Sequence, residues 1–172
     1  MASRSEETAL IDNALSGQQP AFKQLYELHV EGLFRFLNQF ASNREQTEEW
    51  TQRAFIKAFQ KLASFKKEAR FKTWLFTIGM NEMRTDMRKN IHFENIEETP
   101  EAHGTQEFSN EEWMTARSLI RKLPNDKKMV FLLYEVEGYS HREIGELLDI
   151  KEATSRVILN RTKAELRQGL QV

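Results

Sequence analysis

Along residues 20–40 the apolar side chains return every three or four positions: Phe22, Leu25, Leu28 (or His29), Leu33, Phe36, Leu37 and Phe40. That is the period of an amphipathic α-helix; a strand, with its period of two, cannot bury such a set on one side. Pro20 suits the first turn of this helix. The same period recurs on either side. Residues 9–16 fit a short helix stopped by Gly17. Residues 45–62 place Trp50, Ala54, Phe55, Ala58, Phe59 and Leu62 on one broad face. Residues 64–72 break the pattern, and residues 73–89 resume it with Trp74, Leu75, Ile78 and Met83 as the expected apolar stripe. Seven Gly and three Pro in 172 residues leave little punctuation for an all-β chain. The expected fold class is all-α.

Charge divides the chain. The net charge is −1, but residues 10–93 carry +4, residues 94–112 carry −7 and residues 113–172 carry +3. The acidic stretch holds Pro100 and Gly104 and lacks apolar periodicity, so it reads as a solvated linker. Three parts are expected: an N-terminal helical domain over 1–93, an acidic linker over 94–112 and a C-terminal domain over 113–172. There is no cysteine, hence no disulfide framework and no thiolate metal site. The longest apolar run, Met129 to Tyr134, is far short of a membrane span, and the N-terminus lacks an apolar signal core. A cytoplasmic protein is expected.

The last block carries the sharpest local signals. Ser109 and Glu112 have the spacing of a capping box before Trp113, Ala116, Leu119, Ile120 and Leu123. Leu123-Pro124 marks a break, and Val130, Phe131, Leu133 and Tyr134 suggest a helix ended by Gly138. Ser140 and Glu143 form a second capping box, opening a short helix through Leu148. A tight turn at Asp149-Ile150 leads to a last helix ending near Gln168, with Gly169 at its exit. Two steeply crossing helices need a small residue where they touch, and Gly145 supplies it; Ile144, Leu148 and Ile150 can wedge between them. Asp149 tolerates the positive φ that the turn wants. This is the pattern of a helix-turn-helix, whose second helix enters a DNA major groove. Candidate groove-facing residues are Lys151, Glu152, Ala153, Arg156 and Asn160, with Arg161 and Lys163 toward phosphates. Ser155 falls where such motifs bury an apolar residue, and Val157 and Ile158 fall where polar groups are common. Taken by itself the pattern also fits two packed helices with solvated charges.

Residues 61–90 hold eight Lys or Arg against Glu68, Glu82 and Asp86, interleaved with Phe65, Phe71, Trp74 and Phe76. Cations neutralise phosphates and flat rings stack on exposed bases, so the composition suits single-stranded DNA. Trp74 and Ile78, four apart, fit a core stripe equally well.

With both blocks read, residues 21–170 resemble a bacterial RNA polymerase sigma factor of the extracytoplasmic-function class. Ala21 to His29 is similar to the family's opening helix, and Thr47 to Phe55 to its polymerase-binding helix. Phe65 to Leu75, Ile78 to Asn81, and Asp86 to Arg88 are similar to its promoter-melting segment. Leu123-Pro124, Val130-Phe131, Glu137 to Ser140, Glu143-Ile144, Thr154 and Arg161 match its C-terminal DNA-binding domain. The resemblance implies core RNA polymerase and promoter DNA as partners, an anti-sigma factor as a further one, and no cofactor. It implies that the linker runs through the polymerase near the RNA exit path. It assigns polymerase binding to Glu48, Glu49, Gln52 and Phe55, and the unpaired strand to Lys66, Lys67, Arg70, Phe71, Lys72, Asn81 and Arg88. Asp86 ends that helix, or pairs with a neighbouring Arg as a structural link.

Several residues depart from the family pattern. Gln46, Thr47 and Arg53 replace acidic or small residues of the polymerase-binding helix, and Met80 replaces a basic residue beside Asn81. Asp149, Ser155 and Ile158 suggest an unusual upstream sequence or weaker duplex binding. Thr47 and Thr51 are candidates to gain charge by phosphorylation. Two other readings use the same helices: a one-component helix-turn-helix regulator, and a helical protein that sequesters a transcription partner. Catalysis is not expected, since the four His fall in separate elements and no nucleophile constellation is visible. The free protein is expected to be a monomer.

Overall fold

The computed structural model describes residues 4–91 and 111–170. The chain divides into two compact units, Met1–His103 and Gly104–Val172. Among the described residues every regular element is a helix. Most of the acidic stretch, including Ser109 and its capping box, lies outside the described residues.

The first unit holds α1 (Arg4–Leu15), α2 (Gln19–Leu37), α3 (Arg44–Gln60), a 3₁₀ turn (Leu62–Ser64) and α4 (Phe71–Ile91). Gly17, at φ 83°, turns the chain between α1 and α2, and Pro20 sits in the first turn of α2. Asn43 caps α3 by accepting from the Gln46 amide at 2.8 Å, while the Gln46 side chain accepts from the Ser42 amide. α2, α3 and α4 pack on one another, and α1 covers α2 and the 3₁₀ turn. Leu25, Leu33, Phe36, Trp50, Leu75 and Phe76 are buried between them, each contributing about 1.5–3 kcal/mol of burial.

The buried face of α4 differs from the expected stripe. Phe71, Leu75, Phe76, Met80 and Met83 are buried, while Trp74 and Ile78 are half-buried. α4 meets both α2 and α3, so its buried arc is wider than one stripe and is rotated toward Phe76 and Met80. Gly79 allows the approach: a Cβ there would lie 2.8 Å from Leu33 Cδ1. Met80 therefore belongs to the core, where it stands in place of a basic residue.

Trp50 ties α3 to α4. It is wholly buried, so its indole N–H needs an acceptor; Asp86 Oδ2 accepts from it at 3.0 Å and from Gln46 Nε2 at 3.2 Å. Asp86 is a structural link, and the partners it joins are Trp50 and Gln46.

The second unit holds α5 (Glu111–Lys122), α6 (Asn125–Phe131), one π turn (Leu132–Val136), α7 (His141–Leu148) and α8 (Glu152–Leu170). α5 already contains Glu111 and Glu112, so the last two acids of the expected linker form its first turn. The expected helix before Gly138 loosens after Phe131: the Glu137 amide reaches back five residues to the Leu132 carbonyl at 3.0 Å. α8 packs on α5, α6 and α7. It runs through Gly169, where a Cβ would stand 2.9 Å from Leu119 of α5; the glycine serves close packing, not an exit.

Asp86→Ala leaves the Trp50 N–H buried without this acceptor. We expect a loss of about 1–3 kcal/mol of stability, read by urea denaturation, with Asp86→Asn retaining part of it.

Candidate nucleic-acid and polymerase surfaces

The turn from α7 into α8 follows from local chemistry. Ser140 Oγ accepts from the Glu143 amide at 3.3 Å, and Glu143 Oε2 accepts from the Ser140 amide at 2.8 Å, closing the capping box. At the other end Asp149 adopts φ 56° and ψ 49°. The Ile150 amide donates to the Gly145 carbonyl at 3.0 Å, and a Cβ on Gly145 would lie 2.8 Å from the Ile150 carbonyl oxygen. Only glycine admits this approach. Ile144 is wholly buried and Leu148 and Ile150 are half-buried, forming the wedge.

Ser155 is buried, as the motif requires, yet polar. Its Oγ lies 3.0 Å from His141 Nδ1, so the hydroxyl is satisfied where an apolar side chain would ordinarily stand. Val157 is exposed and Ile158 half-buried. Lys151, Glu152, Ala153, Arg156, Asn160 and Arg161 are all exposed along one end of α8. Two of the candidate cations are engaged within the protein. Arg156 donates to Glu152, one turn back, and this hydrogen bond holds the Glu152 carboxyl below the usual carboxylate range. Lys163 is half-buried and pairs with Glu135 at 2.5 Å, above the Tyr134 ring. A phosphate has to displace Glu135 to take Lys163. Lys128 of α6, which no local motif singles out, is a buried lysine; burial, and then Arg121, hold its ammonium below the ordinary range.

On α3, Glu48, Glu49 and Gln52 are exposed. Each glutamate has an arginine on its own helix: Arg44 donates to Glu48 at 2.8 Å, and Arg53 donates to Glu49. Such exposed pairs are worth at most about 1 kcal/mol, so the acids stay available to a stronger partner. Phe55 is not part of this surface. It is buried, its ring 4.7 Å from Tyr26 and 5.8 Å from Phe59, and it anchors α3 to α2. The apolar residue exposed on this face is Ile56, one turn beyond Gln52. Thr47 and Thr51 are also buried. Thr47 Oγ1 donates to Asn38 Oδ1 at 3.1 Å, and Thr51 Oγ1 donates to the Thr47 carbonyl at 2.7 Å. Neither hydroxyl is open to a kinase in the folded protein, which removes both as phosphorylation candidates.

The basic loop before α4 is closed at its base by aromatic rings. Phe65 meets Phe71 edge-on at 5.7 Å and Trp74 at 5.2 Å, so Lys66, Lys67 and Arg70 stand out from the fold, exposed. Lys67 adopts φ 60° and pairs with Asp12 of α1. Phe71 does not face a strand: it is buried against His29, 5.3 Å away, because the loop needs a fixed base. Lys72 is half-buried, with its Nζ 5.2 Å from the Phe76 ring centroid, and Asn81 is exposed on α4. Arg88 lies on α4, with its side chain outside the described residues. Among the described residues no group of His, Asp or Glu is placed to hold a metal. No described helix is long and apolar enough to cross a membrane.

A helix-turn-helix in one unit and a raised basic loop in the other define a protein built to read DNA. Two stretches match descriptions of one family: residues 25–91 match Sigma-70 region 2, and residues 114–166 match Sigma-70, region 4. The ECF RNA polymerase sigma-E factor of Haemophilus influenzae is 27% identical, over 99% of this chain and 98% of its own. The ECF RNA polymerase sigma factor SigW of Bacillus subtilis is 26% identical, over 93% of this chain and 94% of its own. The sigma factor RpoE of Bartonella quintana, solved in complex with the anti-sigma factor NepR, superposes with a TM-score of 0.75 at 25% identity. That match covers 88% of this chain and 97% of RpoE. The chain belongs to the sigma-70 family, in its extracytoplasmic-function class, and is a promoter-directing sigma factor of RNA polymerase. The region 2 match sets aside the one-component regulator, whose first block would be a ligand or dimerisation domain.

Gly145→Ala drives a methyl group into the Ile150 carbonyl. We expect a loss of about 1–3 kcal/mol of stability from this overpacking, measured by thermal unfolding, and weaker binding of duplex DNA.

Proposed function

We propose a division of labour between the two units. The exposed face of α3, with Glu48, Glu49, Gln52 and Ile56, docks on core RNA polymerase. The raised loop, with Lys66, Lys67, Arg70 and Lys72, and then Asn81 and Arg88 on α4, holds the unpaired promoter strand. α8 reads the upstream promoter element as duplex: Arg156 and Asn160 carry the base contacts, and Arg161 and Lys163 carry phosphate contacts. The observation that carries this reading is the α7–α8 turn, which leaves the row from Lys151 to Arg161 exposed on a helix of major-groove dimensions. An N-terminal domain over 1–93 and a C-terminal domain that begins with α5 at Glu111 go with it, joined by the acidic segment. The protein acts by binding, in the cytoplasm, with no catalytic step of its own, and is a monomer when free. The NepR complex of the Bartonella relative supports an anti-sigma factor as a further partner.

The deciding experiment is in-vitro transcription with purified core polymerase on a promoter library. Specific transcripts are expected only when this protein is added, and Arg156→Ala should lower them about fivefold or more, the cost of one lost base contact. No transcripts together with no core binding would overturn the assignment. Arg53→Gln releases Glu49 from its pair and should tighten core binding at low salt, by up to about fivefold, read by surface plasmon resonance.

A further inference from the structure

One side-chain cluster of the helix-turn-helix stands apart from the DNA-facing row. His141 is the first residue of α7, and its imidazole touches two other elements. Its Nδ1 lies 3.0 Å from Ser155 Oγ on α8. Its ring stacks on Tyr134 of the π turn, 4.5 Å away at an angle of 23°. Ser155 is wholly buried and immediately precedes Arg156, so the point at which α8 is seated lies one residue from the side chain proposed above to contact a base. α7, the π turn and α8 therefore meet at one imidazole.

We propose that His141 is a positioning residue for promoter reading: its hydrogen bond to Ser155 seats α8 and thereby aims Arg156. This rests on the reading of α8 as the duplex-binding helix. It also accounts for a serine at a position where helix-turn-helix motifs bury an apolar side chain. An apolar residue would seat α8 by contact alone, whereas Ser155 seats it through a group that titrates.

The proton state of the ring then matters. A neutral imidazole offers Nδ1 either as a lone pair or as a proton; the imidazolium can only donate. The charged groups around it are Glu152, Arg156 and Lys163 of α8 and the neighbouring Arg142 of α7, with Glu135 of the π turn engaging Lys163. The Tyr134 phenol is the other titratable group against the ring. Burial, then Arg156 and Lys163, lower the His141 pKa from its ordinary value, against an opposing pull from Glu152. The N-terminus of α7 adds a positive end in the same place. Because the folded-state pKa is lowered, the fold favours the neutral ring. That stabilisation is present above the ordinary imidazole pKa, near 6.5, and is lost as pH falls through it toward the folded value.

The test uses reconstituted holoenzyme and two duplexes, the upstream element recovered from the promoter library and its scrambled version. The reading is the ratio of their affinities between about pH 7.5 and about pH 5.5, the range over which histidine changes charge. The ratio cancels the general gain in phosphate attraction that any added positive charge brings. In the wild type it should fall about three- to tenfold as pH drops, because the Ser155 hydroxyl must turn to accept while a charge forms on the ring beside Arg156 and Lys163. His141→Asn keeps a donor and acceptor near the Nδ1 position but cannot titrate, so it should hold the neutral-pH ratio and flatten the profile. Ser155→Ala should lower the ratio at neutral pH and also flatten the profile. A His141→Asn profile that still falls like the wild type would overturn the proposal. So would a Ser155→Ala ratio equal to the wild type throughout. An Arg156→Ala ratio equal to the wild type would instead overturn the reading of α8 itself, and the proposal with it.

Discussion

A helix of about five turns draws most of its stability from burying one face, and the rows proposed to meet polymerase and DNA lie on two such helices, α3 and α8. α3 buries Trp50, Ala54, Phe55 and Ala58 and keeps Glu48, Glu49, Gln52 and Ile56 outside. α8 buries Ser155, Leu159 and Thr162 and keeps Arg156, Asn160 and Arg161 outside. The period of the helix therefore decides which residues can act. A side chain one position away from an exposed row is turned some 100° out of it and becomes core. Phe55, Phe71 and Met80 are such cases.

The exposed rows are charged, and much of that charge is answered inside the protein. Glu48 and Glu49 have Arg44 and Arg53; Glu152 has Arg156; Lys163 has Glu135; Lys67 has Asp12. Exposed pairs of this kind contribute little to stability. Each such charge stays available to a stronger partner. A surface of paired charges gives specificity more than raw affinity. It suits a protein of near-neutral net charge that must read particular DNA rather than coat it.

Buried polar groups do a different task. Asp86 joins Trp50 and Gln46 across α3 and α4, Thr47 joins Asn38, and Ser155 joins His141 across α7 and α8. Each is a directional link where a hydrocarbon contact would let helices slide. The helices that carry the exposed rows are held in register by these bonds as well as by apolar packing.

Much of this was legible along the chain. The 3.6-residue apolar period marked the helices, Pro20 and Gly17 marked the first turn between them, and Ser140, Gly145 and Asp149 marked the helix-turn-helix. Each of these signals is local: a cap, a turn or a face involves residues within a few positions of one another. The ion pairs at spacing four on α3 and α8 are local too. Tertiary structure alone decided the wider buried arc of α4, which follows from contact with two helices at once. It decided that Gly169 packs on Leu119 instead of ending α8, and that Thr47 and Thr51 are enclosed. It decided the links from Lys67 to Asp12, from Lys163 to Glu135 and from Ser155 to His141. The first two partners lie tens of residues apart in sequence, and the third pair belongs to two different helices. Spacing specifies which side of its own helix a residue occupies; what stands opposite is set only when the helices pack.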